Sequence, residues 1–536
     1  MQFDAFTYRY PSRRGLVYGT RGMVATSQPL AAQAGLDVLK KGGNAVDAAV
    51  ATAACMTAVE PTTNGLGSDM FAIVWMDGKL YGLNASGRAP MGLTAEMLRA
   101  MGHEKMPQRG WLPVMVHGAV AGWAELSERF GKLPFEALME RAAEYAEKGF
   151  AVTPVIADLW ERGYQLFAKR EGEEFRPWAE TFAPKGHAPR PGEVWNCPEM
   201  AKTLRKIAAT KGRAMYEGEL ADAIDAFARR TGGYIRKSDM EGYRPEWVTP
   251  MHVNYRGTDV WEMPPNGDGL VVLAALAVLN NIELDEEHPD SPENLHKIIE
   301  AMKLGYEDGL KYISDPRTMR VPPESIIAPD YAARRAALIG EKAILPAPGD
   351  PLAGSTIYLC TADGEGNMVS LIQSNYNGFG SGVVVPGTGI SLQNRGFGFS
   401  LDPDSPNVYA PGKKSFHTII PGFLTKDGKA LGPFGVMGAF MQPQGQLQVI
   451  SNLLDFGMNP QEALDRPRWE WIREKKIVLE ESVPEEIAEA LRARGHEVGR
   501  EPDATVFGRG QIILRNDEDV LVGATEPRAD GCVAVW

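Results

Sequence analysis

The chain has 536 residues, 44% hydrophobic and 23% charged, with a formal net charge of −13 at pH 7. Its length supports a large buried core, and the acidic balance disfavours nucleic acid or any other phosphate-rich partner. Four well-separated cysteines (Cys55, Cys197, Cys360, Cys532) and eight scattered histidines without an HExxH or HxH pattern argue against a disulfide framework, structural zinc and metal catalysis.

In chain order, "MQFDAFTYRYPSRRG" lacks the apolar run of a secretion signal. The most apolar stretch, Leu270 to Leu279, is too short to span a bilayer. A cytoplasmic location without a membrane partner is the expectation. Gly22 to Thr26 reads as a strand, and Pro29 to Lys41 as a helix stopped at Gly42. Asn44 caps a second helix, Ala45 to Val59, with Asp47 in its first turn; Ala and Val almost all round predict burial. "FAIVWMDGKLYGLNAS" is a hairpin turning at Asp77-Gly78. Helices follow over Pro134 to Lys148, Leu270 to Leu279 and Asn294 to Tyr312. Residues Ala168 to Pro198, rich in Pro, Gly, Trp and charge, read as a surface excursion. Beyond Thr356 the chain is β-rich, with helices near Gln444 to Phe456 and Pro484 to Arg494, the latter opened by a Ser482/Glu485 capping box. The closing residues form a hairpin and tail. Alternating strands and helices without a linker or repeat predict sheets covered by helices in one mixed α/β (α+β) body.

Several site motifs are weak. "NGFGSGVVVPGTG" (Asn377 to Gly389) lacks phosphate-loop spacing and a following helix, so its glycines read as close-approach positions in a β-rich turn. No serine sits in G-x-S-x-G. His417 is either a base or a hydrogen-bonded structural residue, and Asp402 and Asp404 fit a solvated turn.

One junction has a chemical reading of its own. In "GDPLAGSTIYLC" (Gly349 to Cys360) a Pro/Gly loop passes straight into a strand at Thr356. A threonine hydroxyl is a poor nucleophile without a base. Cutting the chain before Thr356 would place an α-amine, with a pKa of about 7.7–8.0, within reach of that hydroxyl. One residue would then be nucleophile and base. The alternative is an ordinary threonine at a loop-to-strand junction.

"GMVATSQPLAAQAGLDVLKKGGNAVDAAVA", "EMPPNGDGL", "EAMKLGYEDGLKYISDP", "FGSGVVVPGTGISLQN" and "TEPRADG" occur in the order found in the γ-glutamyltransferase family, which the chain resembles over nearly its whole length. The resemblance implies an N-terminal nucleophile hydrolase with a four-layer αββα sandwich, no cofactor, and a proenzyme cut autocatalytically. The large subunit would be 1–355, ending at Ser355, and the small subunit 356–536, the two forming one intertwined body; a homodimer of the cleaved unit is compatible. The family's "TxxxxxxDxxGN" pattern falls on Thr356, Asp363, Gly366 and Asn367, which makes Thr356 the implied nucleophile. Ser374 stands where the family has a threonine that bonds the nucleophile. Gly438 and Ala439 replace the Gly-Gly oxyanion pair, where each preorganised donor contributes about 3–4 kcal/mol.

The implied substrate pocket departs from the family. Its ammonium-binding "NN[QE]MDDF" is "QNRGFGF" here, with Arg395 for Gln/Glu and Gly398 for Asp. Tyr376 replaces an Asn, His417-Thr418 replaces the carboxylate-binding Ser-Ser pair, and Ser86 occupies the place of an Arg, with Arg88 two residues on. A guanidinium repels an ammonium but pairs with a carboxylate through Arg395 or Arg88. The expected substrate is an amide whose acyl group is acidic and lacks the α-amine, as in cephalosporin-acylase-like and oxamate-hydrolysing relatives. The alternatives are a true γ-glutamyl transferase or glutathione hydrolase, and an uncleaved binding scaffold. Arg395 paired with an acidic neighbour and facing away from substrate is the competing reading of that residue.

Overall fold

The apolar pattern of the strand Ser355–Asp363 sets the architecture. Tyr358, Cys360 and Ala362 pack with Phe71, Ile372, Phe423, Met437 and Ile513 in one apolar layer. Ile357 and Leu359 pack in another, with the helix Ala45–Val59. Successive side chains of a strand point to opposite faces, so this strand has a sheet on one side and helices on the other. The computed structural model, which describes residues 14–346 and 355–536, shows the corresponding four layers.

Two antiparallel seven-stranded sheets face each other. One runs Cys532–Val535, Gly22–Thr26, Ser355–Asp363, Met368–Tyr376, Asp69–Met76, Lys79–Ala85, Glu246–Val248. The other runs Val17–Gly19, Leu521–Thr525, Arg509–Arg515, Lys429–Met437, Gly422–Lys426, Thr258–Glu262, Met251–Tyr255. Strands from before and after position 355 lie side by side in both. The helices Pro29–Lys40, Ala45–Val59 and Phe135–Lys148 cover the first sheet. Gly269–Leu279, Pro292–Tyr312 and Met441–Leu454 cover the second. Ala45–Val59 is buried along its whole length and opens with a reciprocal Asn44/Asp47 capping box. Among the described residues no helix is long and apolar enough to cross a membrane.

Two expectations are corrected. Residues 168–198 are not a surface excursion: Trp178, Phe182 and Trp195 are buried in the first helical layer. Phe379 lies among them, 5.0 Å from Trp178 and 4.9 Å from Phe182 between ring centroids. The aromatic rings bury large apolar area, while the surrounding Pro, Gly and charged residues give the stretch its loop-like composition. The Ser482/Glu485 capping box does not form. Pro484 is the cap of Glu485–Ala493 without a side-chain bond, and the Glu485 carboxylate binds Arg492 and Arg500 instead. The glycine-rich turn after Tyr376 does serve close approach: Gly380 has φ +59°, and a Cβ there would collide with the Leu392 carbonyl oxygen. The loop proposed to release at the junction, 349–354, lies outside the described residues.

Candidate active site

Thr356 is fully buried. The register against Met368–Tyr376 slips between Ser355 and Ile357. A bulge of this kind takes a residue out of the ladder and re-aims its side chain. The Thr356 Oγ1 lies 3.0 Å from Ser374 Oγ and accepts a bond from Gln442 Nε2 at 3.3 Å. Ser374 Oγ in turn accepts the Tyr376 N–H at 2.7 Å. These bonds fix the hydroxyl, and neither Ser374 nor Gln442 is a base.

Gln442 stands in the first turn of Met441–Leu454, and the residues just before that helix are Gly438 and Ala439. Their φ values are +142° and +51°. Ala439 adopts a left-handed backbone, at a cost of roughly 1–2 kcal/mol for a residue with a Cβ. The carbonyls of Gly438 and Ala439 accept the N–H groups of Met441 and Gln442 at 2.9 and 3.0 Å. The turn therefore leads directly into a helix N-terminus, where the backbone dipoles favour negative charge.

A second group of polar side chains lies beyond Tyr376. The Arg395 guanidinium stacks on the Tyr376 ring, 4.1 Å from its centroid, and donates to Thr418 Oγ1 at 2.9 Å. Its Nε is 3.9 Å from Asp69 Oδ2, too far for a hydrogen bond. Arg395 is 1% exposed, yet among the described residues its Nε and one terminal nitrogen have no hydrogen-bond partner. Asp69 accepts from His417 Nε2 at 3.0 Å and from the Gly87 N–H at 3.1 Å. Burial pushes the Asp69 carboxyl up to about 7, against the pull of Arg395, the Gly87 N–H and Lys414. Burial, with the Arg395 and Lys414 charges, holds His417 well below its ordinary value. His417 is thus a neutral donor that orients Asp69, not a base for Thr356.

The structure brings Thr356, Ser374 and Tyr376 together, and Arg395, His417 and Thr418 together beside Tyr376. It does not add Arg88. That side chain binds Glu246 at 2.6 Å and Asp315 at 3.3 Å, in a partly exposed network with Arg317 and Lys414. Ser86 hydrogen-bonds Asn84 Oδ1 at 2.7 Å. Gly398 closes the short 3-10 turn from Arg395, and a Cβ there would lie 3.1 Å from the Phe416 carbonyl oxygen.

Three residues were not singled out from the sequence: Asp69, Asp268 and Gln442. Asp69 is the polar first residue of an otherwise apolar strand, a signal that was available. Asp268 sits within "EMPPNGDGL" and Gln442 two residues after "MGAF". Alongside the site a cavity of about 560 Å³ is lined by Gly438, Asn377, Phe440, Arg109, Glu470 and Glu501, among others. Burial and the Glu501 charge push Glu470 up to about 7.

Among the described residues one group with metal-ligand chemistry, His296, Glu300 and His496, is buried beside the helix Pro292–Tyr312. These residues already partner one another and Lys303. His296 Nδ1 is 2.8 Å from His496 Nε2, and Lys303 Nζ donates to Glu300 at 2.7 Å. Two hundred residues separate the histidines, so no spacing pattern could reveal the group.

Two facing sheets between helical layers, with a threonine at the head of an inner strand, define an N-terminal nucleophile hydrolase. The family model described as gamma-glutamyltranspeptidase matches residues 31–536, and the chain belongs to that family. The crystal structure of a cephalosporin acylase from Bacillus halodurans superposes with a TM-score of 0.97 at 55% identity, covering 100% of this chain and 99% of that one. The glutathione hydrolase-like YwrD proenzyme of Bacillus subtilis is 36% identical, over 96% of this chain and 98% of that protein. The oxamate amidohydrolase proenzyme of Klebsiella pneumoniae is 34% identical, with the same two coverages. The chain is an amide-cleaving enzyme of this family, which sets the scaffold reading aside.

Proposed function

We propose that the chain is a proenzyme that cuts itself between Ser355 and Thr356, giving a large subunit 1–355 and a small subunit 356–536 that stay together. The mature enzyme hydrolyses an amide whose acyl group carries a free carboxylate and no α-amine. The Thr356 hydroxyl gives its proton to its own α-amine and attacks the acyl carbon. The oxyanion rests on the N–H groups of Gly438 and Ala439. The C–N bond breaks, and the amine leaves with a proton, through the cavity lined by Phe440 and Glu470. Water then hydrolyses the acyl-threonine ester, unless a second amine takes the acyl group. Ser374 and Gln442 hold the hydroxyl in line.

The observation that carries the substrate reading is the buried Arg395 guanidinium with two nitrogens unpaired. Buried donors are nearly always satisfied, and a substrate carboxylate would satisfy both at once. The relatives named as a cephalosporin acylase and an oxamate amidohydrolase favour the same direction. A second reading, γ-glutamyl transfer or glutathione hydrolysis, is favoured by Asp268, a buried carboxylate able to take an ammonium. Comparing glutaryl and γ-glutamyl p-nitroanilides separates the two. We expect kcat/KM to favour the glutaryl compound by at least roughly tenfold, the worth of one charge-assisted bond. A preference for the γ-glutamyl compound would refute the acidic-acyl reading.

A further inference from the structure

Two buried carboxyl groups beside the acyl pocket take no part in the steps above. Glu262 ends the strand Thr258–Glu262, and Asp268 precedes the helix Gly269–Leu279. Both are 0% exposed, and among the described residues all four of their carboxyl oxygens lack a hydrogen-bond partner. Glu262 is wedged against the backbone at Gly269, where a Cβ would come within 2.8 Å of it. Asp268 is tied to the pocket instead. Its N–H donates to the His417 carbonyl at 2.9 Å, and the next residue, Thr418, accepts from Arg395 at 2.9 Å. Asp268 and Arg395 thus flank the segment 417–418, each buried and each with polar atoms unspent.

The charges around Asp268 come from several elements. Arg395, Tyr376, Tyr306 of the helix Pro292–Tyr312 and Glu262 of the strand Thr258–Glu262 all lie near enough to interact with it electrostatically. Asp69 and Lys414 lie beyond His417. Burial raises the Asp268 pKa well above the usual carboxylate range, and Arg395 offsets this only in part. Burial without a hydrogen-bond partner favours the neutral, proton-donating form of such a carboxyl. A bound carboxylate offers about four acceptor positions, more than one side of a guanidinium fills.

We propose that Asp268 is a specificity-determining residue of the acyl pocket: as the carboxylic acid it donates a hydrogen bond to the acyl group's free carboxylate beside Arg395, and once ionised it repels that carboxylate. The proposal rests on the acidic-acyl reading given above. It adds a second anchor and a pH limit: acidic acyl groups bind while Asp268 is protonated and weaken as pH rises through its titration.

The test follows KM from about pH 6 to about pH 9 for glutaryl p-nitroanilide and for pentanoyl p-nitroanilide, which has the same chain length without the carboxylate. The Thr356 amine titrates equally with both substrates, so the KM ratio reports the pocket; Asp69, whose carboxyl lies at about 7 beside Arg395, also titrates in this range, and the Asp268→Asn variant supplies its baseline. We expect the glutaryl-to-pentanoyl KM ratio to climb toward about tenfold per pH unit in the upper range. Asp268→Asn, which keeps a donor but cannot ionise, should start near the wild-type ratio at the acidic end and climb less than wild type, leaving only the contribution of Asp69. A flat wild-type ratio, or a climb that Asp268→Asn does not reduce, overturns the proposal. So does an Asn variant that binds the glutaryl compound better at every pH while losing γ-glutamyl turnover, the signature of an ionised ammonium site. Inhibition by free glutarate, read against whichever anilide is turned over, keeps the two readings distinct. Glutarate inhibition that does not vary with pH overturns the role of Asp268 alone. No inhibition and no glutaryl turnover overturns the acidic-acyl reading together with it.

Discussion

Thr356→Ala remains one intact chain and loses at least roughly 10⁴-fold in amide turnover, the scale set by removing the nucleophile of a hydrolase. The same hydroxyl serves both reactions. In the proposed maturation it attacks the Ser355 carbonyl carbon, the peptide C–N bond breaks to free the Thr356 amine as an ester forms, and water then hydrolyses that ester to free the Ser355 carboxylate and the hydroxyl. In turnover it attacks the substrate amide. Without it neither ester forms, and without the first cut no base appears. The loss is chemical, not structural. Among the described residues the Thr356 hydroxyl bonds Ser374 and Gln442, and such bonds contribute about 1 kcal/mol each, a small part of a domain's stability. A denaturing gel and an anilide assay check both halves, and Thr356→Ser should restore a measurable part of each. An Ala variant that cleaves itself, or turns over amide at a tenth of the wild-type rate, contradicts the assignment.

Arg395→Met should raise KM for the glutaryl substrate by roughly 30–150-fold and leave the pentanoyl substrate within about threefold. That range corresponds to the 2–3 kcal/mol that charged hydrogen bonds contribute in a buried setting. The methionine fills most of the volume above Tyr376 but offers no donor. It also removes the cation that pulls against burial at Asp69, whose carboxyl already lies near 7; that group then becomes neutral, so no bare charge is left behind. Arg395→Lys should fall between the two, because an ammonium keeps the charge and loses the planar fork. The measurement is the ratio of kcat/KM for the two substrates. An unchanged ratio would mean that Arg395 serves only as the partner of Asp69 and Thr418.

The sequence makes some of this molecule readable and hides the rest for physical reasons. Ala45–Val59 is legible because Gly42, Asn44 and Asp47 mark its start and its apolar residues go all round. The hairpin at Asp77-Gly78 is legible because both turn residues take positive φ. The stretch 168–198 is not, since composition resembles a loop wherever aromatic residues alternate with Pro, Gly and charge. The reading of Thr356 needs only its loop-to-strand context and a resemblance. The acyl pocket needs more. Asp69, Asp268, Arg395 and His417 come from four separate segments, and only the folded chain shows which buried charge faces which. Arg88 illustrates the difficulty: its position beside the family's arginine makes it a candidate, while Glu246 and Asp315 draw its side chain outward. Asp268 looks like an ordinary cap before Gly269–Leu279, yet its side chain makes no capping bond.

The central claim is that Thr356 becomes the first residue of a small subunit and carries the acyl group during turnover. Intact-mass analysis of the purified protein, before and during turnover of the glutaryl anilide with an acid quench, tests both parts together. The account predicts two chains meeting at Ser355 and Thr356, and a transient gain of one glutaryl group on the N-terminal residue of the 356–536 chain. An intact 536-residue chain that hydrolyses the substrate, or an acyl group found on any other residue, would contradict it.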